Sequence, residues 1–474
     1  MSTKMAIKQT INYNSDSEYF AGFLQHIIDI SELDAYVSIG KNNLTLMLDD
    51  SDLEALERFS QNTQKYLPHS IFLGDIDTQS VDDIVQKKTL KSKSYKISLC
   101  PQCLNNLTNP SSQSYLDDSI VCDHYSNEDT LKIEDNHTYS ANYSEGDAVL
   151  VVDSSKINKL FLVTEDEIKA LLSIEKPTIK VTIKDEELKN ITGKNFINIK
   201  SPSSMKATLS ALNAKESGLE YLFFKEEESF KVSTIQNQIL IIKDTLNISN
   251  ILDELHQDRV KNRFLNIAKE AGISRAIGVN LSVDNGITFL ATDKGETSTV
   301  LRLGFFILGD VLKSMKNDAK KQKLLENFQK AYPDIIKEFE ENPEYTLFES
   351  LSVILQLNGR SYQSVSDKSL EFHGNGGLTI DTFFKEDGFD YMSFLGSVMS
   401  FKLAGAEDHY IAYSIFEALG DMSISVMNQL KDKHKISNFI MMGSMFENSV
   451  LHSRIMSKFS QSNPYFSKAF ALDD

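Results

Sequence analysis

Cys100-Pro-Gln-Cys103-Leu-Asn-Asn-Leu-Thr-Asn-Pro110-Ser-Ser-Gln-Ser-Tyr115-Leu-Asp-Asp-Ser-Ile-Val-Cys122-Asp-His124-Tyr125 holds all three cysteines of a chain of 474 residues. Two cysteines separated by two residues lie on one tight turn, and a third brought back across a short ribbon converges on the same point, which is how a tetrahedral zinc site is assembled. His124 is the candidate fourth ligand, although it lies closer to Cys122 than the usual two-residue loop allows. The alternative is a set of unpaired thiols in a site that no longer takes metal. A disulfide framework is disfavoured, because the cysteines are few, clustered and accompanied by no export signal.

Outward from this segment the chain divides by texture. Residues 1–78 mix an amphipathic stretch around Phe20–Ile28, a strand over Leu44–Leu48 and helical spacing over Asp52–Tyr66, which reads as a small α+β unit. Residues 79–146 are rich in Ser, Asn and Asp and have little hydrophobic periodicity, as suits a segment organised by metal. Residues 147–245 alternate strand and helix: Ala148–Val152, Leu160–Val163, Glu165–Leu172, Thr178–Ile183. From 246 to 474 a helical stretch over Asn247–Ala271 precedes three strand runs, Ala276–Leu281, Gly286–Ala291 and Thr297–Leu303. Turn chemistry at Asp284-Asn285-Gly286 and Asp293-Lys294-Gly295 makes these an antiparallel meander. Helices are expected over Asp310–Lys330 and Asp334–Glu341, and a helix-rich end from Tyr391 carries one strand, Phe439–Met442. The fold class is therefore α/β and α+β multidomain, and the length agrees with about three or four domains.

Charge narrows the partners. A formal net charge of −18 and a pI near 5.0 oppose a phosphate backbone, so nucleic acid is not expected. Anionic lipid is disfavoured for the same reason, and no apolar run approaches the roughly 18 residues that span a bilayer, so no membrane insertion is expected. The lysines of the first ten residues have no apolar stretch behind them, which predicts a cytoplasmic protein.

The cysteine segment resembles the first zinc finger of the HypF family of hydrogenase-maturation carbamoyltransferases, Cys-x2-Cys-x6-Pro-x4-Tyr-x6-Cys-x2-Cys. Cys100, Cys103, Pro110, Tyr115 and Cys122 keep every interval, Tyr125 stands at the last position, and no second finger follows. Further along, Ala170-Leu-Leu-Ser-Ile-Glu-Lys-Pro177 is similar to the family's LLS-x-E-(K/R)-P. Ala276-Ile-Gly-Val-Asn280 with Gly309-Asp310 resembles its opening hairpin and HIGDL segment, and Met441-Met-Gly-Ser-Met-Phe-Glu-Asn448 its LSGGVFQN. The resemblance implies an acylphosphatase-like remnant over 1–78 and a zinc knuckle with linker over 79–146. It further implies a YrdC-like α/β remnant over 147–245 and a Kae1-like domain of the actin/Hsp70/sugar-kinase (ASKHA) type over 246–474.

The residues for that family's chemistry are missing. An acylphosphatase holds phosphate with a bidentate arginine, yet no arginine precedes Arg58, which reads as a solvated helix face. Metal in the last domain would need paired histidines at helical spacing; His373 and His409 each stand alone. The phosphate turn of that superfamily uses two adjacent glycines so that backbone N–H groups approach the nucleotide. Here Gly443 is followed by Ser444, which leaves open weak nucleotide (ATP) binding or a turn kept for packing. Glu386-Asp387-Gly388 with Asp390 is either a cation site or a solvated loop, and Asn375-Gly376-Gly377 reads as a turn. Met441 to Met445, with Met456, reads as core, the alternative being a plastic partner surface.

Two functions remain. In the first, the chain is a non-catalytic accessory protein of nickel–iron hydrogenase assembly, similar to the shortened HydE-type relatives in hydrogenase operons. It then has no catalytic residues, binds zinc structurally and partners a hydrogenase subunit or maturation protein. In the second it is an ATP-dependent carbamoyltransferase with altered site residues, which requires nucleotide binding that the sequence does little to support.

Overall fold

The computed structural model describes residues 6–49, 51–81, 97–117, 119–120, 122, 124, 135–226, 229–235, 238–293, 296–304, 306–385, 388–459, 462 and 464–474. The chain forms two units, one of residues 1–251 with 468–472 and 474, the other of 252–467 with 473.

The first unit contains two sheets. One is antiparallel and four-stranded, in the order Ala35–Gly40, Asn43–Asp49, Ala6–Tyr13, Leu73–Val81. Its expected helices are present as Tyr19–Ile30 and Leu53–Tyr66. The first presents Phe20, Phe23, Leu24, Ile27 and Ile28 to the core at the spacing of one helical face. The second begins where the Asp52 carboxylate accepts from Ala55 N–H, a cap that satisfies one orphan donor. Three of the four strands escaped the sequence reading, because Leu73–Val81 is a mostly exposed edge strand and the others carry weak alternation.

The second sheet is mixed. Its order is Gln238–Asp244, Phe230–Ile235, Thr178–Ile183, Phe196–Lys200, Ala148–Val151, Tyr221–Phe224, with the two-residue strand Phe161–Leu162 paired to Thr178–Ile183. The run expected over Leu160–Val163 is thus cut short, since Leu160 closes a short helix and Thr164 already caps the next one with Glu167 in a capping box.

One carboxylate links the layers of this unit. Glu175, 4% exposed, accepts from Tyr19 Oη at 2.6 Å, Ser70 Oγ at 2.5 Å and Ile71 N–H at 3.0 Å. Ile174 N–H donates to His69 O and Ser98 Oγ to Ile174 O. A carboxylate stays buried only when its oxygens are met in this way.

The second unit is built on a five-stranded sheet, ordered Glu296–Arg302, Gly286–Asp293, Ala276–Ser282, Phe439–Met442, Tyr465–Phe466. The first three form the expected meander, and the last two join in parallel. All seven residues of Ala276–Ser282 are buried, as befits a strand covered on both faces. Helix Arg259–Ala271 approaches so closely that a Cβ on Gly278 would stand 2.7 Å from the Phe264 ring.

Three expectations need correction. The helix over Asn247–Ala271 spans only Arg259–Ala271: upstream, Asn247 adopts φ 56°, Asn262 accepts from Leu255 and His256 N–H, and Asn266 from Asp253 N–H. Such side-chain bonds compete with helix. Asp310–Lys330 is two helices, Leu308–Asn317 and Ala319–Ala331, because Asp318 is extended and caps the second through Lys320 and Lys321 N–H. The end of the chain carries a second strand, Tyr465–Phe466, too short to show a period. Met441, Met442 and Met445 are at most 1% exposed and belong to the core. Lys294 and Gly295, Asp123 and Tyr125, and Glu386 and Asp387 lie outside the described residues.

Candidate functional site

Cys100 is the cap of helix Pro101–Thr108, whose proline occupies the first turn, where a missing N–H costs nothing. Its sulfur accepts from Cys103 N–H at 3.3 Å, so the turn itself brings the two thiols to one side. Leu116, with φ 56°, reverses the chain and donates its N–H to Leu107 O, returning Cys122 and His124 to them. His124 Nδ1 stands 3.2 Å from Cys100 Sγ and 3.8 Å from Cys103 Sγ. The four ligand atoms all lie within 4.8 Å of one another, and no cysteine is in a disulfide.

These residues fit zinc. A tetrahedral ion with sulfur at about 2.3 Å and nitrogen at about 2.0 Å separates its ligand atoms by roughly 3.5 Å. Without an ion the four groups share protons among themselves, and binding zinc would displace those protons. Hydrogen bonding with the Cys100 and Cys103 thiols holds Cys122 well below the usual thiol range, and the same contacts within the cluster push Cys103 up. Hydrogen bonding to Cys100 and Cys122 raises His124 to about 10. Four protein ligands leave no open position for a substrate, so an ion here is structural.

A side chain that the sequence reading missed holds His124. The His26 ring stacks on it, with centroids 3.9 Å apart and planes 11° from parallel, and His26 Nε2 lies 3.3 Å from Gln102 Oε1. His26 comes from helix Tyr19–Ile30, so this helix orients the fourth ligand. Its position 98 residues upstream of His124 left no local signal.

The Gly443–Ser444 turn follows strand Phe439–Met442. Gly443 has φ 101°, and a Cβ there would fall inside the Leu281 carbonyl. Ser444 N–H donates to Asp473 Oδ2 at 2.8 Å and Ser444 Oγ to the same oxygen at 2.5 Å. Ser282 Oγ and Asn285 Nδ2 donate to Asp473 Oδ1 at 2.9 and 3.1 Å. Asp473 is 3% exposed. Nothing in the sequence marked it.

Among the other candidates, Arg58 is half-exposed but tied down: its Nε donates to Ser31 O at 3.3 Å. His409 pairs with Glu407 at 3.2 Å, and His373 and His409 belong to no metal-holding group among the described residues. Gly376 and Gly377 lie in irregular backbone, with Gly377 N–H donating to Glu417. Asp390 caps helix Tyr391–Leu403 and pairs with Lys385 at 2.8 Å on the wall of a cleft of about 240 Å³. Asn448 is fully buried, donates to Ser366 and Ser369 Oγ, and accepts from Val450 and Leu451 N–H.

A further polar cluster, also missed, involves Asp135. Burial alone would raise its carboxyl, yet hydrogen bonds from His137, Ser204 and Tyr139 hold it well below the usual range. Ser204 also caps helix Met205–Glu216 through Ala207 N–H. With both carboxylate oxygens met, this cluster is built to hold the helix start.

No family model matches the sequence, and no curated protein matches it. Solved structures do. One is a full-length HypF in its phosphate- and nucleotide-bound form, at 12% identity and TM-score 0.59, over 99% of this chain and 96% of that one. Another is the HypF of T. kodakarensis, at 11% identity and TM-score 0.64, over 100% of this chain and 97% of that one. At this identity the likeness establishes a mixed α/β multidomain HypF fold. No helix among the described residues is long and apolar enough to cross a membrane.

Proposed function

We propose that this HypF-fold chain is a non-catalytic accessory protein of nickel–iron hydrogenase assembly, of the HydE type, which binds a maturation partner or a hydrogenase subunit in the cytoplasm. The observation that carries the reading is a HypF fold along nearly the whole chain whose Ser444 donors are both engaged by the chain's own Asp473. Two absences point the same way: no arginine precedes Arg58, and none of the nine histidines stands four residues from another. Decay at one site can be compensated, whereas decay at each suggests selection for another role.

In this reading Cys100, Cys103, Cys122 and His124 hold zinc as a staple for a segment with little core of its own. The net charge of −18 acts as a steering field for a basic partner surface.

The test has two arms. Purified, zinc-replete protein given ATP and carbamoyl phosphate is expected to release neither AMP nor pyrophosphate. Mixed with the hydrogenase nickel–iron subunit, or with the maturation protein that accepts the carbamoyl group, it is expected to form a complex of defined stoichiometry by light scattering. ATP turnover would overturn the accessory reading in favour of a carbamoyltransferase with altered residues. Absence of a complex with either protein would remove the hydrogenase role.

A further inference from the structure

The nucleotide that the fold implies does not fit the Gly443–Ser444 turn as this chain builds it. Four donors converge there on one carboxylate: Ser444 N–H, Ser444 Oγ, Ser282 Oγ and Asn285 Nδ2. All four belong to the turns that leave two adjacent central strands, Ala276–Ser282 and Phe439–Met442, which run parallel. The donors are oriented without Asp473. Ser282 Oγ accepts from Asn285 N–H at 2.8 Å and Ser444 Oγ accepts from Val283 N–H at 3.3 Å. Each hydroxyl thus has a lone pair taken by the backbone and turns its proton toward the same point. A concave set of N–H and O–H donors is a general anion receptor, and here it closes around a side chain 29 residues from Ser444 and 191 from Ser282.

We infer that the Asp473 carboxylate is the built-in occupant of an anion receptor formed by Ser282, Asn285 and Ser444. The receptor is closed to phosphate in the native protein and becomes a phosphate site when that carboxylate is removed. A tethered group competes at an effective concentration of roughly millimolar or more, and this one is already buried with four donors met, so a free anion must both outcompete it and expel a satisfied carboxylate. A neutral side chain at 473 leaves the four donors facing a buried space without an acceptor. Unsatisfied buried donors are costly, and a small oxyanion relieves them. The inference goes beyond the proposed function and holds whatever the partner is.

The experiment is thermal unfolding of the full chain, wild type and Asp473→Ala, in sodium phosphate and in sodium chloride of equal ionic strength. Wild type is expected to show only the gradual, non-saturating rise that phosphate as a surface-excluded salt gives a folded protein. Asp473→Ala is expected to melt roughly 5 °C lower in chloride and to recover about half of that loss, saturably, in phosphate; formate is expected to act likewise. A saturable phosphate effect on wild type, or an Asp473→Ala protein indifferent to phosphate and formate, would overturn the inference. Should Asp473→Ala not fold in chloride, its refolding yield in the two salts decides, with recovery in phosphate expected and equal failure counting against.

Discussion

Glu175→Gln probes the joint of the first unit. In the native protein one carboxylate oxygen accepts from Tyr19 Oη and Ser70 Oγ and the other from Ile71 N–H. Burial first, and the neighbouring Glu175 charge second, keep the Tyr19 phenol far above its ordinary value, so its proton stays available to donate. Glutamine keeps one acceptor oxygen, which retains the two hydroxyls. Its NH₂ then faces the Ile71 N–H, donor against donor. The loss is one charge-assisted bond plus one buried donor left unmet, about 2–4 kcal/mol in all. For a unit of this size each kcal/mol lowers the midpoint by about 2–4 °C, so calorimetry should find a fall of roughly 5–15 °C. Tyr19→Phe removes one of the three bonds to Glu175, for about 1.5–3 kcal/mol because the acceptor is charged. Because the two residues share a bond, the double variant should cost less than the sum, with a coupling of about 1 kcal/mol. A Glu175→Gln protein within about 0.5 kcal/mol of wild type, or strict additivity, would refute the view that this carboxylate joins the two sheets.

The remaining predictions concern the metal, a buried imidazole and the turn. Metal analysis should find one zinc per chain, and removing it with a chelator should lower stability by about 3 kcal/mol at zinc near a hundredfold its Kd; an unchanged melt after complete removal would argue that the thiols are idle. His452 is 1% exposed, its Nδ1 meets no partner among the described residues, and burial pushes its pKa from 6.5 down to about 4. Between those values the unfolded chain binds a proton that the folded one refuses. The stability is therefore full above pH 6.5, falls as pH drops and is lost by about pH 4, a swing of about 3 kcal/mol. His452→Phe should flatten that part of the acid limb in urea midpoints taken against pH, and an unaltered slope would count against it. Gly443→Ala should cost more than about 2 kcal/mol, because its φ of 101° and the Leu281 carbonyl leave no room for a Cβ; denaturant midpoints measure it.

What could be read from the sequence was what neighbours along the chain decide. Cys100, Cys103, Cys122 and His124 lie within 25 residues, and a proline-started helix with one backbone reversal is enough to gather them. The meander of the second unit was legible because runs of β-branched and aliphatic residues and the turn residues Asp284-Asn285-Gly286 are local signals, and Met441 and Met442 could be assigned to core from their spacing in an apolar strand run. Helix limits were misread at Asn247–Asp258 and Asp318, where Asn and Asp side chains offered the backbone other partners.

The tertiary structure alone decided the polar partners. Asp473 meets Ser282 across 191 positions, Glu175 meets Tyr19 across 156, and His26 meets the ring of His124 across 98. No periodicity connects such residues. They are brought together by sheet order and by the requirement that a buried carboxylate or hydroxyl find its hydrogen bonds, a condition that exists only once the chain has closed around them. The sequence by itself therefore determined the clustering of Cys100, Cys103, Cys122 and His124 and most strands and helices after residue 147. Which carboxylate fills the Ser444 turn was settled by packing, because burial makes a donor set demand an acceptor and distance along the chain does not limit where it comes from.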